Sequence, residues 1–119
     1  MLMLAALALS GCSSITNLTP TRLPRSENGF YRVEAKWKSN VQAVREDSFK
    51  PEVVVGLEKY PMRPVPVVED RWEAYIPVPA DEAAVVYHYQ FDFMKNGFRQ
   101  ARPESKKSAD YTLKIVPKK

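Results

Sequence analysis

One cysteine and one histidine stand in 119 residues, and much of the chemistry open to a small protein is missing with them. A single thiol closes no intrachain disulfide, so a core has to stand on packing alone. His88 lies beside Gln90 and Asp92 with no second ligand at metal spacing around it, which argues against a metal centre. Four glycines are too few for a phosphate-cradling loop, and no Gly-x-Ser-x-Gly turn is present to raise a serine nucleophile. Glu69-Asp70 and Asp81-Glu82 are adjacent carboxylates. On a strand such neighbours point to opposite faces and cannot work as an acid/base pair. These residues predict no catalytic site, no metal and no cofactor. Long hydrophobic runs are also lacking: the apolar stretch over residues 1–11 falls short of the roughly 20 residues that a membrane-spanning helix needs.

The one cysteine sits at an informative place. Leu9-Ser10-Gly11-Cys12 closes the apolar run that begins at Met1, and it resembles the lipobox of bacterial lipoproteins. The resemblance implies a signal peptide over residues 1–11, cleavage before Cys12, and acyl chains on the Cys12 thiol and the freed amine. Ser10 and Gly11 give a peptidase the small side chains it needs beside the cut. Each acyl chain contributes about 0.8 kcal/mol per buried methylene, so three of them hold a protein at a membrane permanently. Acylation also removes Cys12 from nucleophilic and metal chemistry. The run departs from the usual pattern in having no Lys or Arg at its start, which leaves open a start upstream of Met1. Ser13 rather than Asp after the lipid site resembles the signal for outer-membrane sorting in diderm bacteria.

Charge is unevenly spread. The formal net charge is +4, and residues 99–119 carry +5 through Arg99, Arg102, Lys106, Lys107, Lys114, Lys118 and Lys119 against Glu104 and Asp110. For an exported protein a basic end points to anionic lipid headgroups or cell-wall polymers before nucleic acid. The structural alternative is that Lys and Arg guard a terminal strand against edge pairing.

Period-two alternation dominates the rest. Residues 12–29 read as the attachment site, a short tether and a first edge strand built on Ile15, Leu18 and Leu23. Tyr31, Val33, Ala35 and Trp37 alternate with charged residues in a one-sided strand. Glu52 to Tyr60 is a second strand with Gly56 as a bulge. The prolines of Met62 to Val68 make a turn or short edge piece. Arg71 to Val78 is a third strand. Over residues 83–98 a helical period (Ala84, Tyr87, Phe91, Met94, Phe98) competes with a strand period (Val85, Tyr87, Tyr89, Phe91, Phe93). Four aromatics and two valines favour strand, which makes Lys95-Asn96-Gly97 a hairpin-like turn. A polar loop around Arg102 to Ser108 precedes a last strand at Tyr111 to Val116. The sum is an all-β, antiparallel immunoglobulin-like β-sandwich of six or seven strands over residues 30–119.

Trp72-Glu73-Ala74-Tyr75-Ile76-Pro77-Val78-Pro79-Ala80 followed by Tyr87-His88-Tyr89-Gln90-Phe91 resembles the immunoglobulin-like domains of carbohydrate-active enzymes, starch-binding domains among them. The mature chain also resembles small immunoglobulin-like envelope proteins of bacteria. Three functions follow as expectations. The first is a lipid-anchored envelope module that binds or scaffolds another envelope protein, with no catalysis. The second is a surface carbohydrate-binding domain, for which Tyr60, Tyr75, Trp72 and Trp37 are the candidate platform; a glycan or an anionic envelope polymer would be the ligand. The third is an α+β accessory lipoprotein of a transport or assembly machine with a helix at residues 80–96, since Asn96-Gly97-Phe98 and Ser108-Ala109-Asp110-Tyr111-Thr112-Leu113 resemble the helix end and last strand of such proteins. The membrane, through Cys12, is a partner in the first; nucleic acid is expected in none.

Overall fold

The computed structural model describes residues 14–38, 44–96 and 100–118; Leu9, Ser10, Gly11 and Cys12 lie outside them. The described residues form ten strands: β1 (Ser14–Asn17), β2 (Arg22–Pro24), β3 (Phe30–Lys38), β4 (Val44–Val55), β5 (Glu58–Pro61), β6 (Arg63–Pro64), β7 (Arg71–Pro77), β8 (Ala84–Asn96), β9 (Ala101–Lys107) and β10 (Tyr111–Val116). The described residues contain no helix: the aromatic-rich segment is strand from Ala84 to Asn96, which overturns the helix expected at residues 80–96, and Lys95 and Asn96 belong to this strand rather than to a turn, while Gly97 and Phe98 lie outside the described residues.

The strands form two sheets. The first has the order β1-β3-β7-β6 and the second β2-β10-β8-β4-β5, with β9 also paired to β8. This is the A-B-E-D and G-F-C-C′ arrangement of the immunoglobulin-like sandwich, with β2 crossing from the first sheet's edge to lie beside the last strand. That β2–β10 pair is parallel, through Lys114↔Arg22 and Ile115↔Leu23; the other pairs are antiparallel.

Alternation explains the core. The inward residues Tyr31, Val33, Ala35 and Trp37 of β3, Ala74 and Ile76 of β7, Tyr87, Tyr89, Phe91 and Phe93 of β8, and Leu113 and Ile115 of β10 are all buried. Where antibody domains join these two sheets by a disulfide between their second and sixth strands, this chain stacks Trp37 of β3 on Phe91 of β8, with ring centroids 4.8 Å apart and planes 17° apart. Phe49 extends the cluster, 5.4 Å from Trp37 and 5.2 Å from Trp72. Such ring pairs contribute about 0.5–1.5 kcal/mol each beyond their buried area.

A second tie is polar. The Tyr89 hydroxyl donates to Asn17 Oδ1 at 2.6 Å and lies 3.0 Å from Thr19 Oγ1, while Thr19 Oγ1 accepts the Glu34 N–H at 2.9 Å. Asn17 Nδ2 donates to the Tyr87 hydroxyl at 3.2 Å. A strand of the second sheet is thereby bonded to the β1–β2 crossing of the first. Burial raises the Tyr89 pKa well above the ordinary tyrosine value, with the Thr19 bond opposing and the neighbouring Tyr87 and Tyr111 adding.

Three local details differ from the sequence expectation. Gly56 is not in a bulge: Val55 pairs with Glu58 across a two-residue Gly56-Leu57 turn, and Gly56 has φ 61°, the left-handed angle that the first position of a II′ turn requires. Residues 102–108 are mostly strand, because β9 pairs with β8 from Gln90↔Lys107 to Asn96↔Ala101. Finally, β4 starts at Val44, well before Glu52, and its register against β8 shifts between Arg45 and Lys50.

Candidate functional site

Strands β9 and β10 lie end to end along one edge of β8. The register is Gln90↔Lys107 for β9 and Tyr87↔Tyr111 for β10, a slip of one residue. Ser108 manages the slip: its N–H donates to the Tyr89 carbonyl at 2.9 Å and its Oγ accepts the Tyr89 N–H at 2.8 Å. Beyond that point the two strands have different neighbours. On its far side β10 carries β2, fixed by Lys114 N–H to Thr21 O at 2.9 Å and Arg25 N–H to Val116 O at 2.8 Å. Among the described residues no strand pairs with the far side of β9.

The backbone groups on that open side follow from the ladder. Successive residues of an antiparallel strand direct their N–H and C=O to alternate sides. Since Ser108 faces β8, so do Lys106, Glu104 and Arg102, while Lys107, Ser105, Pro103 and Ala101 face outward. The other side of the ladder agrees, because Met94, the partner of Pro103, sends its N–H to Ser48 Oγ at 2.8 Å. Pro103, which has no N–H, thus stands where it withholds a donor from the open edge and costs the ladder nothing. The edge offers the N–H and C=O of Ser105 and Lys107 and the C=O of Pro103.

Beside the edge lies a groove of about 570 Å³, lined by Lys50, Asp92, Met94, Pro103, Glu104 and Ser105 among others. Lys50, Asp92 and Ser105 are successive register partners across β4, β8 and β9 and form a polar row on the sheet's outer face. Gln90 Nε2 donates to both Asp92 carboxylate oxygens at 3.1 Å, turning the next row toward this one. His88, one row further, has Nδ1 3.5 Å from Asp110 Oδ1.

The four candidate platform aromatics form no shared surface, since Trp37 and Trp72 meet only through Phe49 inside the aromatic cluster. Trp37 is buried in the cluster on Phe91, Trp72 packs on Phe49, and Tyr60 is half-buried against the core. Tyr75, at 49 % exposure, stands on the outer face of the first sheet, across from Arg32 and one row from the exposed Phe30. That face also holds an ionic network that the sequence reading missed. Glu34 and Glu73 are direct cross-strand partners, both buried. Arg32 Nη1 lies 3.0 Å from Glu34 Oε1 and Arg32 Nε 2.6 Å from Glu73 Oε1; Arg63 and Arg71 close the network at 3.5 and 3.6 Å. The bond to Glu73 raises the Arg32 pKa, with partial burial opposing and the two carboxylate charges adding. The signal for the network was the i, i+2 spacing of Arg32 and Glu34 and of Arg71 and Glu73 on polar strand positions.

No family model, curated protein or solved structure matches the chain. Among the described residues no three His, Cys, Asp or Glu side chains are grouped to hold a metal ion.

Proposed function

We propose that this chain is a bacterial cell-envelope lipoprotein, anchored through Cys12, that binds another envelope protein by adding one of its extended segments to the open edge of β9. The observation that carries this is the half-covered second sheet: β2 closes the edge at β10 and stops, leaving Ser105 and Lys107 with outward main-chain groups beside a groove. In strand addition the main-chain bonds supply affinity, and pockets beside the edge select side chains.

The residues of β9 restrict the partner. Arg102, Lys106 and Lys107 repel a basic strand, and Pro103 interrupts a long regular pairing, as guarded edges do. A short acidic segment meets opposite charge across the ladder, a pairing of about 0.2–1 kcal/mol for each cross-strand couple. The same charges that discourage indiscriminate pairing thereby choose the partner.

Two measurements test the two halves of the proposal. Labelled palmitate should enter the wild-type protein and not Cys12→Ala; equal labelling of both removes the anchor. Pull-down with the intact lipoprotein should recover a partner that Ser105→Pro fails to recover, because the substitution deletes an outward donor without facing β8. Equal recovery by a folded Ser105→Pro protein shows that β9 is not the docking edge.

A further inference from the structure

The outer face of the first sheet carries five cationic side chains, Arg32, Lys36, Lys38, Arg63 and Arg71, against two carboxylates, Glu34 and Glu73. Both carboxylates are buried and already engaged by Arg32, Arg63 and Arg71. Among the described residues no carboxylate pairs with Lys36 or Lys38. These two lysines and Arg71 gather at one end of the face, since Lys36 is the register partner of both Thr16 and Arg71, and Lys38 that of Ser14.

That end is also where the first described strand begins. β1 begins at Ser14, two residues after Cys12, and two extended residues span at most about 7 Å. This is within a Debye length of about 8 Å at physiological salt, so charges here are not screened from a surface that holds Cys12. Glu69 and Asp70, in the loop leading into β7, are exposed at the same end, and a surface contact must leave them in water. At the far end of the face stand Tyr75, Phe30 and Pro77, all exposed.

Resting on the reading of Cys12 as the acylated residue, we infer that the outer face of the first sheet lies against an anionic lipid surface, with Lys36, Lys38 and Arg71 on the headgroups. The face carries an excess of positive charge, and it belongs to the sheet whose edge strand β1 begins two residues after Cys12. A basic side chain near an anionic leaflet gains about 1 kcal/mol, or roughly fivefold in local partition. With this face toward the membrane, the β9 edge on the second sheet stays open to a partner.

The test is lysine footprinting of the full-length protein on vesicles of phosphatidylcholine alone and with phosphatidylglycerol, using a water-soluble amine-acylating reagent. Lys36 and Lys38 should react at least about fivefold more slowly on the anionic vesicles, while Lys107 and Lys114 of the second sheet react equally on both. Mass measurement of the Cys12 peptide in the same sample reports acylation separately. Protection of Lys36 and Lys38 in unacylated protein supports the face and removes the anchor. Undiminished reactivity of both lysines on anionic vesicles, acylated or not, overturns the inference. So does equal protection on neutral vesicles, which would assign the contact to the acyl chains alone.

Discussion

The two halves of the edge along β8 pair with it in the same antiparallel sense and differ in packing, in charge and in what covers their outer side. In the half made by β10, Leu113 and Ile115 alternate inward with full burial, and β2 covers the outer side. In the half made by β9, the inward positions are Arg102, Glu104 and Lys106, none of its residues is fully buried, and no described strand pairs with its outer side. A strand can thus be held by hydrophobic packing plus two ladders, or by one ladder alone. The first kind is for stability; the second leaves main-chain groups to spend on a partner.

The comparison is broken most severely from the packed half. Leu113→Ala empties a fully buried site between the sheets and should cost about 2–5 kcal/mol, read as a fall in the urea midpoint. A loss under 1 kcal/mol would mean that β10 is no better held than β9.

Next in size is the polar tie. Tyr89→Phe removes the hydroxyl that bonds Asn17 and faces Thr19, leaving partners inside the sandwich unsatisfied at a cost of about 1–3 kcal/mol. It should also change the alkaline limb of stability. The folded state keeps Tyr89 protonated above the ordinary value of 10.0, whereas the unfolded chain loses that proton near 10. Below that pH both states hold the proton and its contribution is complete. As pH rises past it only the unfolded state ionises, so stability falls by about 1.4 kcal/mol per pH unit until the folded state ionises too. Denaturation between pH 9 and 11.5 should show this component in wild type and not in Tyr89→Phe.

The junction between the halves is worth less. Ser108→Ala keeps the main-chain bond to Tyr89 O but strips the acceptor from the Tyr89 N–H, for an expected loss of about 1 kcal/mol. Hydrogen exchange should locate it: faster exchange at the Tyr89 amide, with Lys114 unchanged. Exchange accelerated equally at both would show that the two halves open as one unit.

The same contrast decides what could be read from the sequence. Strands with one buried face announce themselves, as Tyr31-Val33-Ala35-Trp37, Trp72-Ala74-Ile76 and Leu113-Ile115 do, because the core selects apolar residues at period two. β9 has no such face, so Ala101-Arg102-Pro103-Glu104-Ser105-Lys106-Lys107 reads as a loop, although the charges and proline that hide it are the marks of a guarded edge. The beginning of β4 was invisible for a related reason, its pairing being irregular up to Lys50. The segment of Ile15, Leu18 and Leu23, read as one edge strand, is split into β1 and β2, and its apolar spacing holds no sign that the two pieces join different sheets. Among the candidate aromatics, strand parity separates Tyr75 from Trp72, which stand three positions apart in β7 and face opposite sides of the sheet. The Glu34–Glu73 network needed the β3–β7 register, which spacing within one strand does not contain.

The smallest expected effect is the sharpest check on the open half. Lys107→Ala removes an exposed side chain from a strand with no second neighbour among the described residues, and stability should stay within about 0.5 kcal/mol of wild type. The informative quantity is the exchange of the outward amides. If the parity deduced from Ser108 and Met94 holds, the Ser105 and Lys107 amides exchange near the rate of an unprotected chain, while Lys106, directed at Phe91 across the ladder, and Lys114, bonded to Thr21, are slowed by orders of magnitude. The alternation of fast and slow amides within one strand is a signature that neither a loop nor a covered strand produces. A loop would exchange quickly at every position, and a strand with neighbours on both sides slowly at every position. When a partner segment adds to the edge, the fast pair should become slow and the slow pair should not change, which ties the docking proposal to the same amides that define the open edge.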